Sequence, residues 1–427
     1  MAFGSNLMRV LFILMVMFAL SPAKRPIARK STALAPVPEA GEESGARGIF
    51  DITKLGATSD GKTDCSRELQ EAWNSACGAT EQAMVLVPKG EFLVGPLNFS
   101  GPYKGSVTIQ IDGTLLGSND LPKYDRGSWM NILQVDNLVT TGSGTIDGQG
   151  TIVYTKDPEA QAFPNSLLPD FMKNGTVSCI TLLNSKFFHM NIYMSEDVKA
   201  ENLTITAPGD SPNTGGIHIG DSSNINVTGA TISTGDDCIS IGGGSSHIKV
   251  TRVTCGPGQG IIVGCLGRYR DEKDVSDVTV KDCVLWSSTD GVRIKTYEDA
   301  VKSITASNLT FKNIKMEDVA NPIIIDQNYC PEKTVSTATK SKSEVTVKDV
   351  IFRNITGTSS TPEAVSLLCY EKQCSGVDLI DVNVECNGKN NKTIGVCSNA
   401  KGTTKDTLQA LACLVLIKAK VSRLSMR

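Results

Sequence analysis

One short pattern recurs through the middle of the chain and constrains the fold more than any other feature. Val198-Lys-Ala-Glu-Asn-Leu-Thr-Ile, Ile225-Asn-Val-Thr-Gly-Ala-Thr-Ile, Ile248-Lys-Val-Thr-Arg-Val-Thr-Cys and Val278-Thr-Val-Lys-Asp-Cys-Val-Leu align with one another. Ile304-Thr-Ala-Ser-Asn-Leu-Thr-Phe, Val345-Thr-Val-Lys-Asp-Val-Ile-Phe and Val377-Asp-Leu-Ile-Asp-Val-Asn-Val align with them as well. Apolar residues alternate within each unit, which is the two-residue period of a strand with one buried face. Most units recur after about 20–30 residues, the interval of a solenoid. No helical segment separates them, so βαβ crossovers and leucine-rich repeats are excluded. Propeller blades need about 40 residues each. The pattern therefore predicts an all-β chain, a single-stranded right-handed parallel β-helix in which each coil buries its inward side chains on the next. The stretch Cys65–Cys77 reads as a helix, with Leu69, Ala72, Trp73 and Ala76 on one face, suited to cap the open N-terminal end.

Polar residues interrupt the pattern in one region. Consecutive coils contribute Ser211-Pro-Asn-Thr-Gly-Gly-Ile-His218, Thr234-Gly-Asp-Asp-Cys-Ile-Ser240, Cys255-Gly-Pro-Gly-Gln-Gly-Ile261 and Gly291-Val-Arg-Ile-Lys-Thr-Tyr297. Equivalent positions of neighbouring coils stack about 4.8 Å apart, so these segments should form one patch. Asp236 and Asp237 are adjacent, and Gly235 permits the turn that lets both reach one ligand. Paired carboxylates suit acid/base cleavage of a glycosidic bond, and they also suit calcium. Arg293 and Lys295 alternate with Val292 and Ile294, so both face one way. Two cations beside two acids make a site for an anionic sugar. A surface ion-pair ladder is the alternative for either pair alone; stacking in consecutive coils favours the site.

The remaining features place the chain in the secretory route. Arg9 precedes the apolar run Val10–Leu20 and the small-residue end Ser21-Pro22-Ala23, the pattern of a signal peptide over residues 1–23. Residues 24–48 read as a linker or pro-segment, 49–400 as the β-helix domain and 401–427 as an atypical tail, apolar and then basic. Sequons occur at Asn98, Asn174, Asn202, Asn226, Asn308, Asn354 and Asn391. In an oxidising compartment the 13 cysteines are disulfide candidates. Cys65/Cys77, Cys238/Cys255, Cys369/Cys374 and Cys386/Cys397 are candidate bridges, and spacing alone does not fix the connectivity. We expect Cys238 and Cys255, beside the polar patch, to be joined. The charge balance of 42 Lys+Arg against 45 Asp+Glu argues against a nucleic-acid partner. No stretch after the leader is long and apolar enough to span a membrane, and a monomer is expected.

The blocks Asn213-Thr214, Gly235-Asp236-Asp237-Cys238, Gly258-x-Gly260 and Arg293-Ile294-Lys295 resemble the signature blocks of the polygalacturonases. Phe50 to Gly61, Gly144-Thr-Ile-Asp-Gly-Gln-Gly150, Asn184-Ser-Lys-Phe-Phe-His189 and Ile325-Asp-Gln-Asn-Tyr-Cys330 are also similar to segments of that family, closest to the plant exopolygalacturonases of pollen. The resemblance spans about residues 49–400. It implies inverting hydrolysis of α-1,4-galacturonan in pectin, without metal or other cofactor. It implies Asp236 as general acid, Asp237 as a group activating water, Arg293 and Lys295 on substrate carboxylates, and Tyr329 and Asn213 on the sugar. Two positions depart from the family pattern. Gly215 stands where the family has aspartate, and Gln259 where it has histidine; Cys265 also replaces a serine. Gln259 does not titrate. These changes predict impaired turnover, with a non-catalytic pectin-binding protein of the cell wall as the alternative. A calcium-dependent pectate lyase on the same fold is disfavoured, because Gly215 removes one carboxylate from the cage it needs.

Overall fold

Alternating Val, Ile and Thr residues produce short strands that pair in parallel with the equivalent segment of the next coil. In this computed structural model, residues 48–124, 128–154, 164–329, 343–371, 373–387, 392–408 and 411–416 are described. They fall within one compact unit, residues 46–427. The strands form a 22-stranded sheet and an 11-stranded sheet, and every pairing is parallel. The chain is thus a right-handed parallel β-helix, the hand that parallel crossovers take. The signal-peptide and linker readings over residues 1–47 lie outside the described residues. No helix among the described residues is long and apolar enough to cross a membrane.

Inward side chains stack in files along the helix axis. Ile217, Ile239, Ile261, Val292, Ile323 and Val365 pair in register, and all are buried. Ala200, Val227, Val250, Val280, Phe311, Phe352 and Leu379 form a second file. Within it the rings of Phe311 and Phe352 stack at 5.1 Å. Each coil adds apolar area to both neighbours, so stability accrues coil by coil.

The helix Ser66–Gly78, α1, closes the N-terminal end as expected. Leu69, Ala72, Trp73 and Ala76 are buried. Trp73 packs on Phe99 at 5.1 Å, and its indole N–H donates to the Ser100 carbonyl at 3.3 Å.

Two of the aligned units stack differently from the sequence alignment. Val278 pairs with Leu309 rather than Ile304, and Leu309 pairs with Val350 rather than Val345. The reason is a pattern repeated twice in each long strand. Asp277 and Asp282, Asn308 and Asn313, and Asp349 and Asn354 all have left-handed backbone, with φ between 48° and 57°. Each follows an apolar-alternating segment, so a shift of five residues gives a plausible false match. Only pairing along the whole strand distinguishes the two.

Disulfides join Cys238 to Cys255 and Cys369 to Cys374, as expected. Cys65 and Cys77 are not bridged. They bracket α1, and three helical turns separate them by about 18 Å, against about 7 Å at most for bridged Cα atoms. Cys397 bonds to Cys413, not Cys386. Beyond residue 400 the chain still pairs: strand Ala400–Lys405 lies on Cys374–Cys386, and Val415–Leu416 on Thr403 and Thr404. This brings Cys413 to the second sheet and buries Leu411 and Leu414.

Candidate active site

The polar segments do stack. On the second sheet, strands Ile217–Gly220, Ile239–Ile241, Ile261–Leu266 and Asp290–Tyr297 are consecutive neighbours. Their outward file runs His218, Ser240, Ile262, Arg293. Upstream of these strands the register brings Gly215, Asp237 and Gln259 into a file, whereas the pairing of Gly258 with Ser288 and of Ile261 with Val292 leaves an extra residue that displaces Asp290 from it. Backbone bonds fix it: Gly216 N–H donates to the Asp237 carbonyl at 2.9 Å, and Gln259 N–H to the Asp236 carbonyl at 2.9 Å.

The turn that carries both acids is tied to the coil beneath. The Gly235 N–H donates to Thr214 Oγ1 at 3.1 Å, and the Thr214 and Ser211 hydroxyls are 2.7 Å apart. A Cβ at 235 would run into the Ser211 backbone, so the close approach requires glycine. The Cys238–Cys255 bridge, with its Cα atoms 5.9 Å apart, pins the far side of the turn to the next coil.

Asp236 and Asp237 have raised proton affinity. For Asp236 the cause is burial, opposed by the Asp237 N–H and Lys295. For Asp237 it is burial and then the Asp236 charge, opposed by Lys295; Asp290 adds to the rise and Arg293 opposes it. The Oδ1 of Asp237 is buried with no hydrogen-bond partner. Two like carboxylates in such surroundings resist simultaneous ionisation, so ionising one disfavours ionising the other. That is the condition for one acid and one base in the same site.

The two cations differ. Arg293 Nη1 donates to Asp290 Oδ2 at 2.8 Å and Nη2 to Asp326 Oδ2 at 2.6 Å. Lys295 is 8% exposed and has no ion pair among the described residues. Its Nζ lies 4.3 Å from the centre of the Tyr329 ring, and the Arg293 guanidinium lies 5.7 Å from the same ring. Burial disfavours the Lys295 charge, but Cys265 and Asp237 outweigh it and its pKa is raised. The departure at Cys265 therefore lies within the electrostatic reach of this lysine.

Gly215 and Gln259 are both in the file with Asp237. The space beside Gly215 is filled: a Cβ there would lie 2.5 Å and 2.9 Å from carbons of the Phe188 ring. That ring stacks on His218 at 5.0 Å with 11° between planes. His218 Nδ1 is 2.8 Å from Ser240 Oγ, and burial lowers the pKa of its imidazole to about 4. His218 is thus committed and neutral near pH 7, and it does not stand in for the missing histidine. Asn213 is exposed, with φ of 57°, on the loop next to Thr214.

The structure places Asp236, Asp237, Arg293, Lys295 and Tyr329, singled out in the sequence, within reach of one another. Sequence reasoning missed Asp290, Asp326 and Phe188. Asp290 had a signal: it lies three residues before Arg293 on the same strand. Phe188 had none, because its relation to position 215 depends on how two loops meet.

The model of the Glycosyl hydrolases family 28 matches residues 77–411. An "Exopolygalacturonase" of Zea mays is 56% identical over 420 residues, covering 97% of this chain and 100% of that protein. The "Exopolygalacturonase" of Platanus acerifolia is 39% identical over 362 residues, with 83% of this chain and 95% of that protein covered. Among solved structures, the Yersinia enterocolitica family 28 exopolygalacturonase superimposes with a TM-score of 0.68 at 18% identity, covering 87% of this chain and 76% of that one. The endo-xylogalacturonan hydrolase of Aspergillus tubingensis does so at 0.72 and 22%, covering 83% and 96%. These two bear on the fold alone. A family model over most of the chain, and relatives of this identity matched nearly end to end, establish that the chain belongs to the glycosyl hydrolases of family 28.

Proposed function

We propose that this protein hydrolyses α-1,4-galacturonosyl linkages of polygalacturonate, acting as an exopolygalacturonase with inversion at the anomeric carbon, after secretion to the plant cell wall. The observation that carries this is a pair of buried adjacent carboxylates, Asp236 and Asp237, beside Lys295, a buried cation without an ion pair among the described residues. In this reading Asp236 protonates the leaving oxygen while Asp237 orients and deprotonates the attacking water. Lys295 holds a galacturonate carboxylate, Tyr329 packs against the sugar, Arg293 lines the same subsite with its charge offset by Asp290 and Asp326, and Asn213 reaches the substrate from the loop below. The leader at residues 1–23 and the sequons fit secretion and glycosylation.

Turnover is slow in this reading. Gly215 removes a second carboxylate from the water-holding file, with Phe188 in its place, and Gln259 moves no proton. A positioned acid or base typically contributes about 10²–10⁴-fold. The specific observation that favours the second reading, a pectin-binding protein without turnover, is the same filled space at 215. Release of reducing ends from polygalacturonate by purified protein, measured beside an equilibrium affinity for trigalacturonate, separates the two. Binding with slow release supports the enzyme, binding with none supports the second reading, and neither activity overturns both. Lys295→Ala should abolish most of the affinity, and wild-type affinity should fall as salt rises. Equal affinity for a neutral trisaccharide would count against Lys295 as the carboxylate contact.

A further inference from the structure

A carboxylate buried inside a site for a polyanion is costly and calls for an account. Asp290 is 4% exposed. Its Oδ2 accepts from Arg293 Nη1 at 2.8 Å, and its Oδ1 accepts from Asn321 Nδ2 at 3.1 Å. Asp326 takes the other terminal nitrogen of Arg293 at 2.6 Å. The guanidinium is therefore bracketed by two acids, and only its Nε is left buried without a partner. Asp290 opens the strand two beyond that of Asp237, on the opposite side from Gly215 and with strand Ile261–Leu266 between them. From that side, two coils away, it does not replace the carboxylate missing at 215.

We propose that Asp290 is a positioning residue of the active site. It pins Arg293 and offsets its charge, so that Lys295 alone reads the substrate carboxylate, and it keeps a negative charge facing Asp237. This inference rests on the galacturonate-binding reading given above. The charged and titratable groups that act on Asp237 are Asp236, Lys295, Asp290 and Arg293, and the Cys265 thiol and Tyr329 hydroxyl lie within its electrostatic reach as well. Neutralising Asp290 removes one like charge and releases one opposite charge, and both changes favour ionised Asp237. Asp326 touches the same guanidinium from the strand beyond that of Asp290, which makes it the control.

The experiment is the affinity of the full chain for trigalacturonate as a function of pH. In the wild type, affinity should fall as Asp237 ionises and repels the ligand. Asp290→Asn should move the midpoint of that fall down by about half a pH unit or more, whereas Asp326→Asn, which frees Arg293 but removes a charge one coil further from Asp237, should move it less. An unchanged midpoint in Asp290→Asn, or equal shifts in both variants, would overturn the proposal. If Asp290→Asn does not fold, Asp290→Glu retains the charge and displaces the contact: affinity should drop with the midpoint unmoved, and wild-type affinity there would overturn it. A wild type that binds no trigalacturonate would instead sink the galacturonate-binding reading itself.

Discussion

At the scale of single residues, the site is governed by which groups hold charge and which have lost it. Asp237 shows the energetic consequence. Its folded-state proton affinity is raised, so the stability it confers is present below the ordinary carboxylate range and is lost as pH rises through its folded value. Asp237→Asn should therefore raise the melting temperature above wild type at neutral pH, and the gap should close below about pH 4. A variant less stable than wild type at pH 7 would show that this carboxylate is stabilised rather than strained by its neighbours. Position 215 supplies a second test. Its backbone is not in the left-handed region, so an aspartate is conformationally permitted, and the obstacle is the Phe188 ring. Gly215→Asp alone should destabilise by about 1–3 kcal/mol through overpacking. Gly215→Asp with Gln259→His and Phe188→Ala should raise the rate of polygalacturonate hydrolysis by about 10²-fold or more. No gain in the triple variant, with folding intact, would mean that the missing groups do not limit the rate.

At the scale of strands and turns, the coils are held in register by apolar files within and by ladders of left-handed Asn and Asp residues at the corners. Asn313 has φ of 53°; its Nδ2 donates to Asp282 Oδ1 at 2.8 Å, and its Oδ1 accepts from Asn354 at 3.0 Å. Alanine there would keep the strained backbone and lose both bonds, a cost of about 2 kcal/mol. Asn313→Gly should recover the conformational part of it. Chemical denaturation of the two variants measures the split, and an alanine variant as stable as wild type would remove the ladder from the account of register. The ladder also explains why two repeat units were legible as strands but not as to their partners. Period-two alternation marks strands from sequence alone. Two similar corners five residues apart leave the register undetermined until a whole strand of 12–15 residues is paired with its neighbour.

At the scale of the whole molecule, α1 closes the N-terminal end of the stack. Trp73→Ala should cost about 3–5 kcal/mol and open that end. Limited proteolysis of the variant should then cut first in the N-terminal coils, and cleavage beginning in the central coils would contradict the capping role. The parallel β-helix, its capping helix, the Cys238–Cys255 bridge and the convergence of Asp236, Asp237, Arg293 and Lys295 were all determined by the sequence itself. In a solenoid, distance along the chain maps onto position in space, and equivalent residues of successive coils must meet. What only the tertiary structure decided lies where that mapping fails. The pairing of Arg293 with Asp290 and Asp326 depends on side-chain reach across coils. The Phe188 ring beside Gly215 depends on two loops that carry no repeat. Cys397 bonds to Cys413 because the chain beyond residue 400 turns back onto the stack, and no periodicity in the sequence encodes that return.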